Sequence, residues 1–351
     1  MKRPLLLALE GDQLALWRDD GKRLHALGQF APTSAGQAAC AQQLASYRGQ
    51  ACRLLINAPE EQLQQIHIPP LHGRDRRMLI QRKLEQAFPG LALRQVIASQ
   101  REDAAHETLT CTAMPENSLP TCWRDLLQQT PLLLCGIYTP CQIASHLLSK
   151  HANAILLSTH AHGFRAIQQV DRKITYTRYS AYPEAGSAAQ ALIDEAHRLL
   201  RHPAHDSPPA LLLISNAETL AHFQQQAPEL AAQSLPLSMA ESASLDCTTA
   251  YLARLSHQAP PEQLAPATWL APWRLARRQQ HFFYASLALL AAALIYAVLQ
   301  YESSQAAQQA SQQMQSMTAR QTNSETPSPE ALRQLQALAQ HQPTPTSDPQ
   351  A

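Results

Sequence analysis

Two histidines, His160 and His162, alternate in Ser158-Thr159-His160-Ala161-His162-Gly163, with His151 nearby. That spacing lets two imidazoles reach one metal ion from an extended loop. A third ligand at motif spacing is missing, and the chain holds 15 His in all. The pair therefore reads as solvated loop histidines, and no metal is expected. His202 and His205, on either side of Pro203, read the same way. No Ser–His–Asp or Cys–His spacing stands out, so no catalytic residue is assigned. Arg74, Arg76, Arg77, Arg82 and Lys83 form a local basic cluster at the start of a helical stretch. Its apolar positions Met78, Leu79, Leu84 and Phe88 suggest one buried face. The cluster reads either as a solvated charged face or as a docking surface for an acidic partner or anionic lipid. Cations at a helix N-terminus oppose the macrodipole, a mild conflict that favours docking.

Glycine excludes whole classes of chemistry. The chain has 10 Gly in 351 residues, and no two lie closer than seven positions. Neither G-x-G-x-x-G nor G-x-x-x-x-G-K-[ST] can be written, nor G-x-S-x-G. The 28 basic residues balance 27 acidic ones, which leaves no nucleic-acid footprint. Seven scattered Cys without a C-x-x-C pair fit a reducing compartment and free thiols, Cys135 and Cys141 included.

These residues must be held by an α/β architecture. Apolar runs and turn signals predict strands over 4–9, 13–18 and 22–30, a helix over 35–47 and a strand over 51–56. The same order returns as strands over 153–158, 164–170 and 173–179, a helix over 187–201, a strand over 210–215 and a helix from 218. An insertion, 60–150, follows the first copy. A duplicated βββαβα order is the pattern of the actin-like, ribonuclease-H-like ATPase fold, here as a domain over 1–260. That fold binds phosphates on two hairpins whose sequence is Asp-x-Gly-[Ser/Thr]. The corresponding stretches here are Glu10-Gly11-Asp12 and His160-Ala161-His162-Gly163, the second without any acid. The adenosine loop would need a glycine pair after a strand, where this chain has Ser215-Asn216-Ala217. Three altered loops predict a pseudo-ATPase that is not an enzyme and binds no cofactor. The alternative is a membrane-tethered ATP-binding protein with altered phosphate loops. A further alternative is a lone membrane-anchored regulator.

Residues 282–299 read FFYASLALLAAALIYAVL, eighteen residues without a charge. This meets the length of a spanning helix, placed over 282–300. Trp269, Trp273, Arg274, Arg277 and Arg278 flank one end within a basic, aromatic juxtamembrane segment, 261–281; Tyr296 and Tyr301 mark the other. The positive-inside rule keeps 1–281 in the cytoplasm and sends 301–351 across the membrane, which puts every Cys on the reducing side. In the tail, 305–319 reads as an outward extension of the membrane helix, 322–329 as a linker and 330–340 as a short amphipathic helix. Residues 342–351 are Pro-rich and read as disordered.

The segment 68–89, IPPLHGRDRRMLIQRKLEQAFP, resembles bitopic proteobacterial proteins. Those are in turn similar to the actin-like cytoplasmic domains of the type II secretion L subunit and the type IV pilus inner-membrane M protein. Further echoes are 123–127 (WRDLL), 131–137 (PLLLCGI), 176–180 (YTRYS) and 263–266 (QLAP). The resemblance implies a non-catalytic scaffold of a pilus or secretion platform in the bacterial inner membrane. Implied partners are platform subunits or their cytoplasmic ATPase, and the lipid bilayer; a second copy of the chain is also allowed. The resembled families carry a folded ferredoxin-like domain after the membrane helix. The fifty residues of this tail cannot supply one.

Overall fold

The computed structural model describes residues 3–103, 105–183, 187–201, 208–235, 247–324 and 329–339. It divides into two compact units, Met1–Arg277 and Arg278–Ala351. The first half of the larger unit contains β1 (Leu5–Glu10), β2 (Gln13–Asp19), β3 (Leu24–Phe30), α1 (Ser34–Ala45) and β4 (Ala51–Asn57). Next come β5 (Gln62–Ile68), α2 (Gly73–Ala87), β6 (Leu93–Arg101) and β7 (Glu107–Met114), followed by α3 (Thr121–Gln129), β8 (Leu133–Tyr138) and α4 (Pro140–Leu147). The second half runs β9 (Ala154–His160), β10 (Gly163–Val170), β11 (Lys173–Ala181), α5 (Ala188–Leu200), β12 (Ala210–Ile214), α6 (Ala217–Gln226), β13 (Gln233–Ser234) and α7 (Cys247–His257).

The two sheets have one topology. Their orders are β3-β2-β1-β4-β8 and β11-β10-β9-β12-β13. In each, the first three strands are antiparallel and the next two join in parallel. This repeated order is the actin-like, ribonuclease-H-like arrangement expected from the sequence. Strand β1 (LLLALE) is a central strand, and its apolar run is continuous because both faces are covered. Leu5, Leu7 and Leu9 enter a core with Leu44 and Trp123, while Leu6 and Ala8 enter the core shared with Leu156 and Tyr251 of the second half. Helix starts are set by side-chain caps, with Thr33 before α1, Ser187 before α5 and a full capping box of Thr139 and Gln142 before α4. Asp171 and Arg172 both have positive φ (49° and 63°), the condition for the tight turn joining β10 to β11.

The inserted unit is narrower than 60–150. Only β5, β7 and β6 form a separate sheet, in that order, with α2 packed on it. The stretch from α3 to α4 returns to the first half, because β8 pairs with β4 and Trp123 fills the core beneath β1. The predicted turn at His202 and His205 lies outside the described residues, as do 325–328 in the predicted linker and 342–351.

One helix, α8, runs over Ala271–Ser324, so the basic juxtamembrane segment becomes helical at Ala271 and the linker begins later than 322. Within the described residues it is the single helix long and apolar enough to cross a membrane. Its side chains Phe282, Leu289, Leu294 and Ile295 are exposed, as a lipid-facing surface would be. A last helix, α9, covers Pro329–Ala339.

Candidate functional site

Both central strands end at the same place between the halves. Glu10 closes β1 and His160 closes β9, each just before a hairpin turn. These turns are the expected phosphate hairpins, and the structure joins them directly. His160 Nδ1 lies 2.9 Å from Glu10 Oε1, with side-chain exposures of 1% and 18%. Thr248 of α7 donates its hydroxyl to the same carboxylate oxygen. The carboxylate accepts, so Nδ1 carries the proton. On the other side of the ring, Nε2 lies 3.1 Å from Ser158 Oγ, and that hydroxyl oxygen accepts from the Tyr251 hydroxyl at 3.1 Å. The Tyr251 ring stacks on the imidazole, 5° from parallel.

The reading of His160 as a solvated loop residue is therefore corrected. It is the last residue of a strand and 6% exposed, because position 160 shares the inward face of β9 with Ser158. His162 sits in the turn and is exposed. Among the described residues, no three His, Cys, Asp or Glu side chains gather as a metal site would require.

Ser158, His160 and Glu10 stand in the order of a nucleophile, base and orienting acid. The sequence showed no such set because Glu10 is 150 residues from His160. Burial separates Ser158 and His160 of this row from solvent. Ser158 is 0% exposed and its hydroxyl is surrounded by Tyr251, His160 and the Arg165 carbonyl. The row of Ser158, His160 and Glu10 joins the two halves as a polar clasp.

Burial pushes the Glu10 carboxyl up, but the His160 hydrogen bond and charge and the Thr248 hydroxyl outweigh it and hold the group below the ordinary carboxylate range. A lowered folded-state pKa adds stability that is present above the ordinary range and lost as pH falls through the folded value. Glu10→Gln should cost about 2 kcal/mol at neutral pH, the worth of hydrogen bonds to a charged group. In urea titrations of the two proteins, the difference should shrink once pH drops below the ordinary carboxylate range. A difference independent of pH would show that the pair contributes no charge stabilisation.

The glycines of these hairpins have different tasks. Gly11 holds φ +56°, which the tight β1–β2 turn requires, and a Cβ there would meet open space. Gly163 has no such φ. A Cβ on it would come within 2.2 Å of the Ser180 carbonyl, so it permits close pairing of β10 with β11. The Asp12 carbonyl accepts the Trp123 indole N–H at 2.7 Å, which ties the first turn to α3. In the expected adenosine loop, Asn216 accepts the Thr219 amide at 2.8 Å and serves as the cap of α6.

A second clasp lies deeper, and the sequence reading missed it. Arg165 of β10, 1% exposed, donates to Glu61 at 2.7 Å, to Asn57 at 2.9 Å, to Thr177 at 3.0 Å and to the Ala58 carbonyl at 2.6 Å. Thr112 in turn donates to Glu61 at 3.0 Å. The available signal was an arginine at an inward position of an apolar strand, which demands a buried acid. Beside Glu10 a cavity of about 280 Å³ is lined by Ala8, Gln13, Trp17, Gly28 and Thr248 among others, and the described residues of its lining include no Lys, Arg or His. Those described residues present the Glu10 carboxylate and no cation to a phosphate.

The basic cluster is dispersed. Arg76 points inward and pairs with Glu107 at 2.5 Å, while Arg74, Arg77 and Arg82 are exposed and Lys83 is half-buried. Met78 is 59% exposed, which corrects its placement on the buried face. The helix turns Leu79, Ile80, Leu84 and Phe88 toward the inserted sheet instead, since a 3.6-residue period leaves position 78 to the side. Of the membrane flank, Trp269 packs against the first-half core, and the Arg277 guanidinium lies over the Trp273 ring at 5.3 Å. Arg274 and Arg278 are exposed on α8.

No family model matches the chain, and no curated protein does. Among solved structures it is similar to the PilM–PilN type IV pilus biogenesis complex, at 12% identity over 66% of this chain and 87% of that one, with a TM-score of 0.47. It is also similar to the cytoplasmic domain of EpsL, an inner-membrane component of the type II secretion system of Vibrio cholerae. That likeness is 13% identity over 72% of this chain and 94% of the other, with a TM-score of 0.42. A Bacteroides thetaiotaomicron protein with an actin-like ATPase fold is 10% identical over 72% and 95%, at a TM-score of 0.41. The fold assignment itself rests on the repeated strand order.

Proposed function

We infer that this chain is a single-pass inner-membrane scaffold whose actin-like domain has lost nucleotide chemistry and serves as a docking body in a pilus or secretion platform. The observation that carries the first part is the Glu10–His160 bond between the two hairpins, beside a cavity with no basic residue among the described residues that line it. A phosphate brought between the turns would have to break that bond and face a carboxylate. The platform assignment is supported by the resemblance of 68–89 and its echoes, and by a globular unit followed by one apolar helix. The arginine asymmetry around 282–300 supports a cytoplasmic domain and a periplasmic tail. Its partners in this reading are other platform subunits or their ATPase.

Calorimetry of the detergent-solubilised full chain with ATP and magnesium tests the loss of nucleotide binding. No saturable heat is expected up to about 1 mM ATP. Magnesium-dependent binding in the micromolar range would overturn it in favour of a tethered ATP-binding protein. Co-purification with neighbouring platform subunits tests the docking role.

A further inference from the structure

A groove of about 620 Å³ is lined by residues of α2 and β6 and by residues 262–267, with Arg274 also in its lining. Four arginines line it. Arg76 is neutralised by Glu107 at 2.5 Å and Arg94 by Glu85 at 3.1 Å. Arg77 and Arg274 are exposed, and neither makes an ion pair among the described residues. Glu262 is the one acid among the described residues of the lining, so among these positive charge remains in excess. Arginine presents a planar fork of donors that matches phosphate oxygens. Leu84 and Val96 give the groove an apolar wall.

Its place in the chain selects the ligand. Arg274 precedes Phe282, the first residue of the apolar stretch, by eight positions. Eight residues reach at most about 28 Å even when fully extended. In the spanning reading of 282–300, the chain therefore keeps Arg274 within that reach of the anionic headgroups, which are present at high effective concentration and attract each nearby basic residue.

The geometry points to this groove as a binding site for the phosphate headgroup of an anionic phospholipid, held by Arg77 and Arg274. The site gives the inserted sheet a lipid contact. It rests on the reading that 282–300 spans the membrane. Stable incorporation of the chain into lipid nanodiscs tests that reading separately.

The full chain is placed in nanodiscs of phosphatidylcholine alone, or of equal parts phosphatidylcholine and phosphatidylglycerol. Deuterium uptake is then followed in peptides from 74–84 and 262–267. Phosphatidylglycerol should slow exchange there about tenfold, within the range expected for two basic residues near a charged surface. The Arg77→Gln/Arg274→Gln double variant should lose this effect while β1 peptides keep wild-type uptake. Arg277→Gln/Arg278→Gln, outside the groove, should retain it. Equal uptake in both discs overturns the proposal, as does undiminished slowing in the groove variant or loss of slowing in the flank variant. Slowing by soluble polyglutamate but not by phosphatidylglycerol would also overturn it and assign the groove to an acidic protein segment.

Discussion

Glu61→Ala should lower the stability of the cytoplasmic unit by about 3–5 kcal/mol, the cost of stranding a buried charge. The Glu61 side chain is 0% exposed and that of Arg165 1%, so water cannot replace the lost carboxylate. Arg165 would keep its bonds to Asn57, Thr177 and the Ala58 carbonyl, which satisfy donors but do not balance the charge. Thr112 would lose its acceptor as well, although the Gln62 carbonyl at 3.1 Å remains within its reach. Replacing both partners, as Glu61→Leu with Arg165→Met, should recover most of the loss, because desolvation of two ions disappears with them. Urea titrations of the full chain in detergent, followed by tryptophan fluorescence, compare the three proteins. A Glu61→Ala midpoint equal to wild type would mean that this pair does not hold the halves together. Recovery in the double variant separates a stranded charge from simple loss of packing.

Trp123→Ala should cost a similar amount, about 3–5 kcal/mol, for a fully buried aromatic truncated to a methyl group. Trp123 is 0% exposed in the core beneath β1, and its indole N–H is the partner of the Asp12 carbonyl. The substitution therefore opens a cavity and releases the β1–β2 turn together. Trp123→Phe separates these effects, since it keeps most of the volume and removes only the donor. It should cost about 1–2 kcal/mol, and added deuterium uptake should be confined to the 10–13 turn. If Trp123→Phe proved as damaging as Trp123→Ala, the indole bond rather than the packing would be the larger contribution.

The regular elements were legible because their signals are local. The run LLLAL predicted β1, apolar runs and a turn signal at Asp171-Arg172 predicted β9, β10 and β11, and helices were expected over 187–201 and from 218, where α5 and α6 stand. From those elements alone the duplicated order could be read, and the strand order agrees with it. Some local readings failed where two patterns overlap. Met78 is apolar but falls off the helix stripe, and the 60–150 stretch looked continuous although its last part supplies β8 to the first sheet. In both cases register, not composition, decides which face or sheet a residue joins.

The candidate site divides along the same line. Sequence alone determined that the glycine-rich phosphate cradles are missing, that the two hairpin turns carry Glu10 and His160 in their place, and that one apolar stretch flanked by arginines can cross a membrane. Each of these is a property of a short segment. Only the tertiary structure decided that Glu10 and His160 bond each other, that Arg165 finds Glu61, and that Ser158 is sealed beneath Tyr251. Those partners are separated by 150, 104 and 93 residues. No periodicity encodes such pairs. They form because two sheets of one topology bring the ends of their central strands together, where a buried polar group is stable only against a complementary one.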